Sequence, residues 1–508
     1  MTDIVLATVN ARWTHAALGL RYLMANLGEL QSRACIEEFA LATPLDVMVD
    51  RLLSHQPRVL GLSVYIWNVA RSIELIRRLR AADPQLKIVL GGPEVSHETD
   101  SQLIVALADH VITGPGDISF AVLVHQLLNG PRPLNKVIAG VQPELSDIAL
   151  PYALYDDTDI RQRHLYVEAS RGCPFKCEFC LSALDKTAWP FPLPAVLHEL
   201  AQLYERGARR FRFVDRTFNL KAATGRAILE FFLERIERAP TDPVFAHFEL
   251  VPDHLPDALK EVIVRFPAGA LQFEIGIQSW NPQVQSRISR RQDNDLAQTN
   301  IRWLRTHSQA HLHVDLIAGL PGEDLASFGE GFDRLVSLNP HEIQVGVLKR
   351  LRGAPIARHT VQHGMRYADE APYEVIETAV MSAQDLSRVR RFARYWDLYG
   401  NSGRFSRTLP HLLGASPFAR FMAFSDWLKA RDAGTHRLSL ETQMELLHAW
   451  LITVDGQPVE SVSSLLEQDY AASGAHGRAG FMARGLAGGR GPAHGADALT
   501  EAAAPSAP

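Results

Sequence analysis

The chain has 508 residues and only four cysteines, Cys35, Cys173, Cys177 and Cys180. Three of them fall between positions 173 and 180, too close to staple distant segments, so a disulfide framework is excluded as the organising device. No uninterrupted apolar run approaches the roughly 18 residues of a membrane helix. The opening residues 1–13 lack a basic segment leading into an apolar core, which predicts no secretory signal and a cytoplasmic protein. A charge excess is also missing. Lys+Arg is 52 against 57 Asp+Glu, a net charge of −5, which makes no case for nucleic acid or an anionic membrane as partner. The short arginine runs at 77–78, 209–210, 290–291 and 388–391 are scattered over helical patterns and read as solvated faces. No internal repeat is visible.

The composition that remains, 46% hydrophobic and 21% charged, is that of an ordinary chain with several cores. At about 150 residues per domain the length suggests about three domains. Residues 1–130 alternate apolar runs at 4–9, 34–40, 59–65, 86–90 and 111–112 with helical spacers. This is the pattern of a doubly wound, flavodoxin-like parallel sheet. Ligands of such sheets sit beyond the carboxyl ends of the strands. Here those ends lead into 10–15, 63–68, Gly91-Gly92-Pro93-Glu94 and Gly114-Pro115-Gly116-Asp117. Residues 131–164, with four prolines and little periodicity, read as a linker. Six further strand and helix units over 165–350 predict a partial (β/α)6 barrel, whose functional groups gather at the strand carboxyl ends. Residues 351–468 turn aromatic and helical and predict a C-terminal helical domain. The Gly, Ala and Pro rich stretch 469–508 reads as a disordered tail.

The chemistry concentrates in Ser170-Arg171-Gly172-Cys173-Pro174-Phe175-Lys176-Cys177-Glu178-Phe179-Cys180, directly after the first barrel strand. Three thiolates spaced C-x3-C-x2-C can each take one corner of a four-iron cube and leave one iron without a protein ligand. A structural zinc site is the alternative, but zinc prefers four protein ligands, and Cys35 belongs to a different domain. His164 is near in sequence but at the far end of a strand.

Cys173-x3-Cys177-x-Phe179-Cys180 on a first βα loop resembles the signature of the radical S-adenosylmethionine (SAM) family. Residues 1–130 resemble the cobalamin domain of its B12-binding group, and 351–468 resembles the extra C-terminal domain that one branch carries. The resemblance implies an enzyme in which Cys173, Cys177 and Cys180 hold a 4Fe–4S cluster. The cluster would bind SAM at its open iron and cleave it to methionine and a 5′-deoxyadenosyl radical. Phe179 would pack beside cluster and adenine, and Asp215 is the one plausible carry-over at the position of the family's amino-group motif. Glu249, Glu274, Gln278 and Asp315 would contact ribose and the amino-acid portion of SAM. In 273–278 the alternation places Glu274, Gly276 and Gln278 on one face, a polar inward face that is unusual in a parallel sheet.

For the first domain the resemblance implies cobalamin, with Ser63, Gly91, Gly92 and Gly114 at its nucleotide tail. The family's cobalt-ligating histidine motif is altered: His15 lacks the usual preceding Asp, and its spacing to Gly19 is one residue longer. A ligating imidazole needs an orienting partner, so His15 reads as a hydrogen-bonding residue at a helix start. Methyl transfer to a small molecule or peptide, with a flavodoxin or ferredoxin as reductant, is the leading activity. The alternatives are a cobalamin domain retained only to bind substrate, or a zinc-stapled scaffold. A methylthiotransferase would need a second set of three cysteines, and beyond Cys173, Cys177 and Cys180 only Cys35 remains.

Overall fold

A computed structural model describes residues 2–131, 133–185, 187–435 and 438–475. The chain divides into two compact units, 1–393 and 394–508. No helix among the described residues is long and apolar enough to cross a membrane.

The first unit holds two parallel sheets. Strands β1 (Ile4–Asn10), β2 (Ala34–Ala40), β3 (Val59–Ser63), β4 (Lys87–Gly91), β5 (His110–Thr113) and β6 (Val137–Ala139) lie in the order β2-β1-β3-β4-β5-β6. Helices α1 (Leu18–Ala25), α2 (Leu45–Ser54), α3 (Val69–Ala82), α4 (Leu103–Leu107) and α5 (Ser119–Asn129) supply crossovers between them. Every residue of β1 is buried, as expected of a strand covered on both faces. One face packs against Met48, Leu75, Ile76 and Ile104, the other against Leu20, Phe120 and Val124. The order reverses between β1 and β3, so the ligand crevice opens there. The stretch expected as a linker does more than connect: it adds β6 to the sheet and forms α6 (Asp157–Gln162), capped by Asp156 in a reciprocal capping box.

The second sheet begins at β7 (Leu165–Val167). A small hairpin of β8 (Ser170–Arg171) and β9 (Trp189–Pro190) and helix α7 (Leu193–Glu205) lead to β10 (Arg210–Phe213) and α8 (Ala222–Arg238). Strands β11 (Phe245–Leu250), β12 (Leu271–Gln278), β13 (His311–Ala318) and β14 (Glu342–Val347) complete an open half-barrel in simple sequential order. The alternation along each strand decides its faces. Phe211, Phe213 and Phe248 turn outward and stack against Phe232 of α8, while the alternate residues line the inside.

An open barrel leaves two edges, and both are tied to loops of the first sheet. At β7, Thr14 carbonyl accepts from His164 N–H at 2.7 Å, and Arg163 reaches Trp13 carbonyl at 2.9 Å. Beneath that contact Arg21 and Arg163 interlock with Glu38 and Asp159 at 2.5–2.9 Å, all four side chains nearly buried. Beyond β14, Arg350 and Arg352 bind Glu98 and Glu94 at 2.8 and 2.9 Å.

Residues 351–393, expected in the helical domain, belong to this first unit. They form the hairpin β15 (Arg366–Tyr367) and β16 (Val375–Glu377), and Val375 N–H bonds to Leu348 carbonyl, extending the β14 edge. The first long helix of the stretch expected to be helical starts only at Ala383.

The second unit is helical where it is described, with helices Leu409–Leu413, Pro417–Lys429, Leu440–Thr453 and Val459–Ala472. Its core is aromatic: Tyr399, Phe421 and Trp450 pack around Phe424. Buried Asp469 accepts the Arg407 and Thr408 N–H groups and the Thr408 hydroxyl. The expected tail begins inside the last helix, and its part from 476 onward lies outside the described residues.

Phe232 is fully buried in the ring stack between α8 and the barrel. Phe232→Ala should cost about 3–5 kcal/mol, read as a lower urea midpoint at unchanged slope.

Candidate functional site

The cysteine loop leaves β7 at the carboxyl end of the half-barrel. Gly172 has φ +81°, and a Cβ there would lie 2.1 Å from the Thr187 carbonyl oxygen, so only glycine can turn the chain into Cys173. Glu178, inside the loop and 2% exposed, is its anchor. Its carboxylate takes the Ser289 hydroxyl at 2.5 Å, His359 Nε2 at 2.7 Å and the Arg358 guanidinium. Its N–H donates to Ile288 carbonyl at 3.0 Å, and its own carbonyl accepts from Ile356 N–H at 2.8 Å.

Cys173, Cys177, Cys180 and Phe179 line one side of a cavity of about 250 Å3; Glu249, Glu274, Gln278, Asp315, Arg216 and Arg290 line the rest. Among the described residues no group of three or more His, Cys, Asp or Glu side chains is arranged to hold one metal ion. Burial pushes the Cys177 thiol up, opposed by Arg290, whose Nη1 stands 3.6 Å from the sulfur. Arg290 also donates to Gly276 carbonyl and, at 3.0 Å, to Gln292. The reading of Arg290 as a solvated residue is therefore corrected: it is half-buried and lines the cavity.

The carboxylates differ in state. Burial, joined by Glu274 and only partly offset by Arg216 at 2.6 Å, pushes Glu249 up to about 7. Glu274 is held below its usual value by His247, whose Nε2 is 3.2 Å away, against the effect of burial. Burial lowers His313, but Asp315 at 2.9 Å, with Glu274 and Glu342, outweighs it and raises His313 to about 9. Gln278 ends β12 at φ +69°, beside a register shift, and its buried Oε1 has no partner. A non-glycine residue held there is local strain at the cavity wall.

Asp215 is a correction. It does not line this cavity: Ala169 N–H at 2.9 Å and the Ser170 hydroxyl at 2.6 Å occupy its carboxylate, and burial lifts it to about 7. It fixes the root of the cysteine loop and leaves no acceptor facing a ligand ammonium.

A second cavity, of about 230 Å3, opens at the carboxyl edge of the first sheet. Ser63, Gly91, Gly92 and Gly114 line it together with Gly19, Gly61, Gly116 and Tyr65. Gly92 has φ +106° and presses on the Val64 backbone, where a Cβ would come within 2.5 Å of oxygen. The Ser96 hydroxyl joins the two glycine loops, donating to Gly92 carbonyl and accepting from Gly114 N–H. Arg171, two residues before Cys173, lines this second cavity and binds Asp117 at 3.0 Å and Glu168 at 2.9 Å. One residue thus touches both the cysteine loop and the glycine cavity, a link that sequence spacing did not show. His15 turns to the barrel instead, its Nδ1 2.6 Å from the Tyr166 hydroxyl.

Family models match in three places: a B12 binding domain at residues 4–124, the Radical SAM superfamily at 167–335, and Protein of unknown function (DUF4080) at 361–484. The chain thus joins a B12 binding domain to a Radical SAM domain. Among curated relatives, the cobalamin-dependent radical SAM methyltransferase TokK of Streptomyces tokunonensis is 24% identical over 372 residues, 66% of this chain and 53% of TokK. The 2-(S-pantetheinyl)-carbapenam-3-carboxylate methyltransferase of Streptantibioticus cattleyicolor is 26% identical over 344 residues, 59% of this chain and 48% of that protein. The chain thus spans about half the length of these relatives. The fold is shared with the radical SAM methyltransferase TsrM from Kitasatospora setae, solved with cobalamin and a [4Fe-4S] cluster bound (TM-score 0.61, 15% identity, 85% of this chain and 100% of that one). It is shared equally with the cobalamin-dependent SAM radical enzyme OxsB (TM-score 0.64, 13% identity, 95% and 83%).

Glu249 carries a pH consequence. Its folded pKa of about 7 lies above the ordinary 4.5, so folding favours the protonated form. Its contribution to stability is full below pH 4.5 and is lost as the pH rises through 7. Glu249→Gln should flatten that part of the stability profile, measured by urea midpoints at intervals between pH 4.5 and 7.5.

Proposed function

We propose that the protein is a cobalamin-dependent radical SAM enzyme, with methyl transfer to a small molecule or peptide as its leading activity. The observation that carries this reading is the shared cavity: three cysteines and the inward carboxylates of β11–β13 face one volume. The donor set fits a four-iron cube. A tetrahedral zinc ion would need ligands converging on one point, which is not their arrangement, whereas a cube takes each thiolate at a separate corner. Cys173, Cys177 and Cys180 would hold the cluster, and Phe179 would pack beside it. Such a cluster supplies the electron that cleaves the sulfonium bond of SAM, and cobalamin supplies a carrier for the methyl group.

The chain's own groups orient the cofactors. Glu249, Glu274, Gln278 and Asp315 offer oxygen acceptors to the hydroxyls and ammonium of SAM, and Arg216 and Arg290 offer cations to its carboxylate. Arg290 also lies close enough to Cys177 to favour the thiolate. The glycine cavity suits a flat heterocycle: Gly91 has no neighbour nearer than 3.9 Å to the place of a Cβ, so the space is open beside the sheet. We assign it to the nucleotide tail of cobalamin, with Ser63, Gly91, Gly92 and Gly114 around it. A reducing cytoplasm with a flavodoxin or ferredoxin as electron donor suits a cluster of this kind.

Anaerobically reconstituted protein should be brown and release 5′-deoxyadenosine from SAM. Replacing all three cysteines by alanine should abolish both the iron content and the cleavage; retention of either refutes the assignment. In the other cavity, Gly91→Val places a strand-compatible side chain in open space at ordinary φ. It should weaken hydroxocobalamin binding at least tenfold in a spectroscopic titration while the melting temperature stays within a few degrees.

A further inference from the structure

The half-barrel interior is polar well below the SAM cavity. Three inward residues stand directly opposite one another on adjacent strands: Tyr166 on β7, Arg212 on β10 and His247 on β11. Arg212 is half-buried, yet among the described residues it forms no ion pair, and its buried Nε has no hydrogen-bond partner. His247 is 5% exposed; its Nε2 faces Glu274, and its Nδ1 is also unpartnered. Two buried nitrogens on facing residues, Arg212 Nε and His247 Nδ1, are left without partners, which is costly unless something fills the place between them.

Two neighbouring histidines, held toward the neutral form, report the positive field of Arg212. His164, at the start of β7, is pushed down to about 4 by burial and then by Arg212, with His15, Arg210 and His247 adding to it. His15 is lowered by burial and by Arg212, Arg12 and Arg163. On the upper side Glu274 faces His247 and lines the SAM cavity, while Glu38 and Asp159, near His15, are already engaged by Arg21 and Arg163. The loop carrying His15 covers this side of the barrel, with Nδ1 on the Tyr166 hydroxyl.

We infer that Tyr166, Arg212 and His247 form the seat for an oxyanion, carboxylate or phosphate, carried by the substrate. This rests on the proposed function, because it places the substrate's charged end below SAM on the inward face of the same barrel. Arg212 would supply paired N–H donors, the geometry that carboxylate and phosphate share. The Tyr166 hydroxyl would donate while accepting from His15 Nδ1, and His247, its Nε2 on Glu274, would donate from Nδ1 as the imidazolium.

The test needs neither cluster nor SAM. Inorganic phosphate and acetate are titrated calorimetrically into the full chain without cofactors, at low ionic strength, for wild type, Arg212→Met, Arg212→Lys and, as a surface control, Arg77→Gln. Saturable binding of one probe, weakened at least tenfold in Arg212→Met, less in Arg212→Lys and unchanged in Arg77→Gln, supports the seat. Preference for acetate assigns a carboxylate substrate; preference for phosphate assigns a phosphate ester. Absence of saturable binding in the wild type, or binding as tight as the wild type's in folded Arg212→Met, overturns the inference. If Arg212→Met does not fold, the Arg212→Lys comparison decides alone. Cluster assembly and SAM cleavage by the wild type are measured separately, so the two readings can fail independently.

Discussion

Two arginines and two carboxylates, Arg21, Arg163, Glu38 and Asp159, form the contact on which the first unit depends. They come from α1, β2, α6 and the residue before β7's entry segment, so they fix the first sheet against one edge of the half-barrel. Burying four charges costs desolvation, and only close mutual pairing offsets it. Removing one partner would strand the others. The gain is a defined docking angle, which a greasy contact between two sheets would not enforce. With the β7 edge held there and the β14 exit held by Arg350 and Arg352, the carboxyl edge of the first sheet lies over the open side of the barrel.

The two cavities have no lining residue in common. Arg171 leads into the cysteine loop yet lines the glycine cavity, where it pairs with Asp117, and its bond to Glu168 ties it back to the end of β7. The barrel interior has a related logic. An apolar interior would pack shut, as in closed barrels; here Glu249, Glu274, His313 and Asp315 keep it polar and partly open. The cost of that polarity is visible in displaced pKa values and in unpartnered atoms, the features that mark a surface awaiting ligands.

Much of this was legible in the chain. The three-cysteine loop, its place after a strand, the alternating face of 273–278 and the glycine turns all depend on local periodicity, and local periodicity is written in sequence. Where the reading missed, a distant partner decided. Asp215 is a carboxylate at the right strand end, but Ala169 and Ser170 turn it into the loop. Arg290 sits in an arginine pair that resembles a solvated face, and only the fold brings it to Cys177. The boundary at 351 was set by loss of strand signal, whereas residues 351–393 pack with the first unit through the edge of β14.

The sequence by itself determined which atoms are available: three thiols in one turn, carboxylates on alternate barrel positions, and glycines at sheet edges. These follow from spacing of a few residues, over which backbone geometry is nearly fixed. Tertiary structure alone decided which of those atoms face a common space and which are consumed by neighbours. It also placed an unpaired Arg212 opposite Tyr166 and His247. Residues 46 and 35 positions apart in the chain become neighbours only when parallel strands pair, and no local rule states the register in which they do.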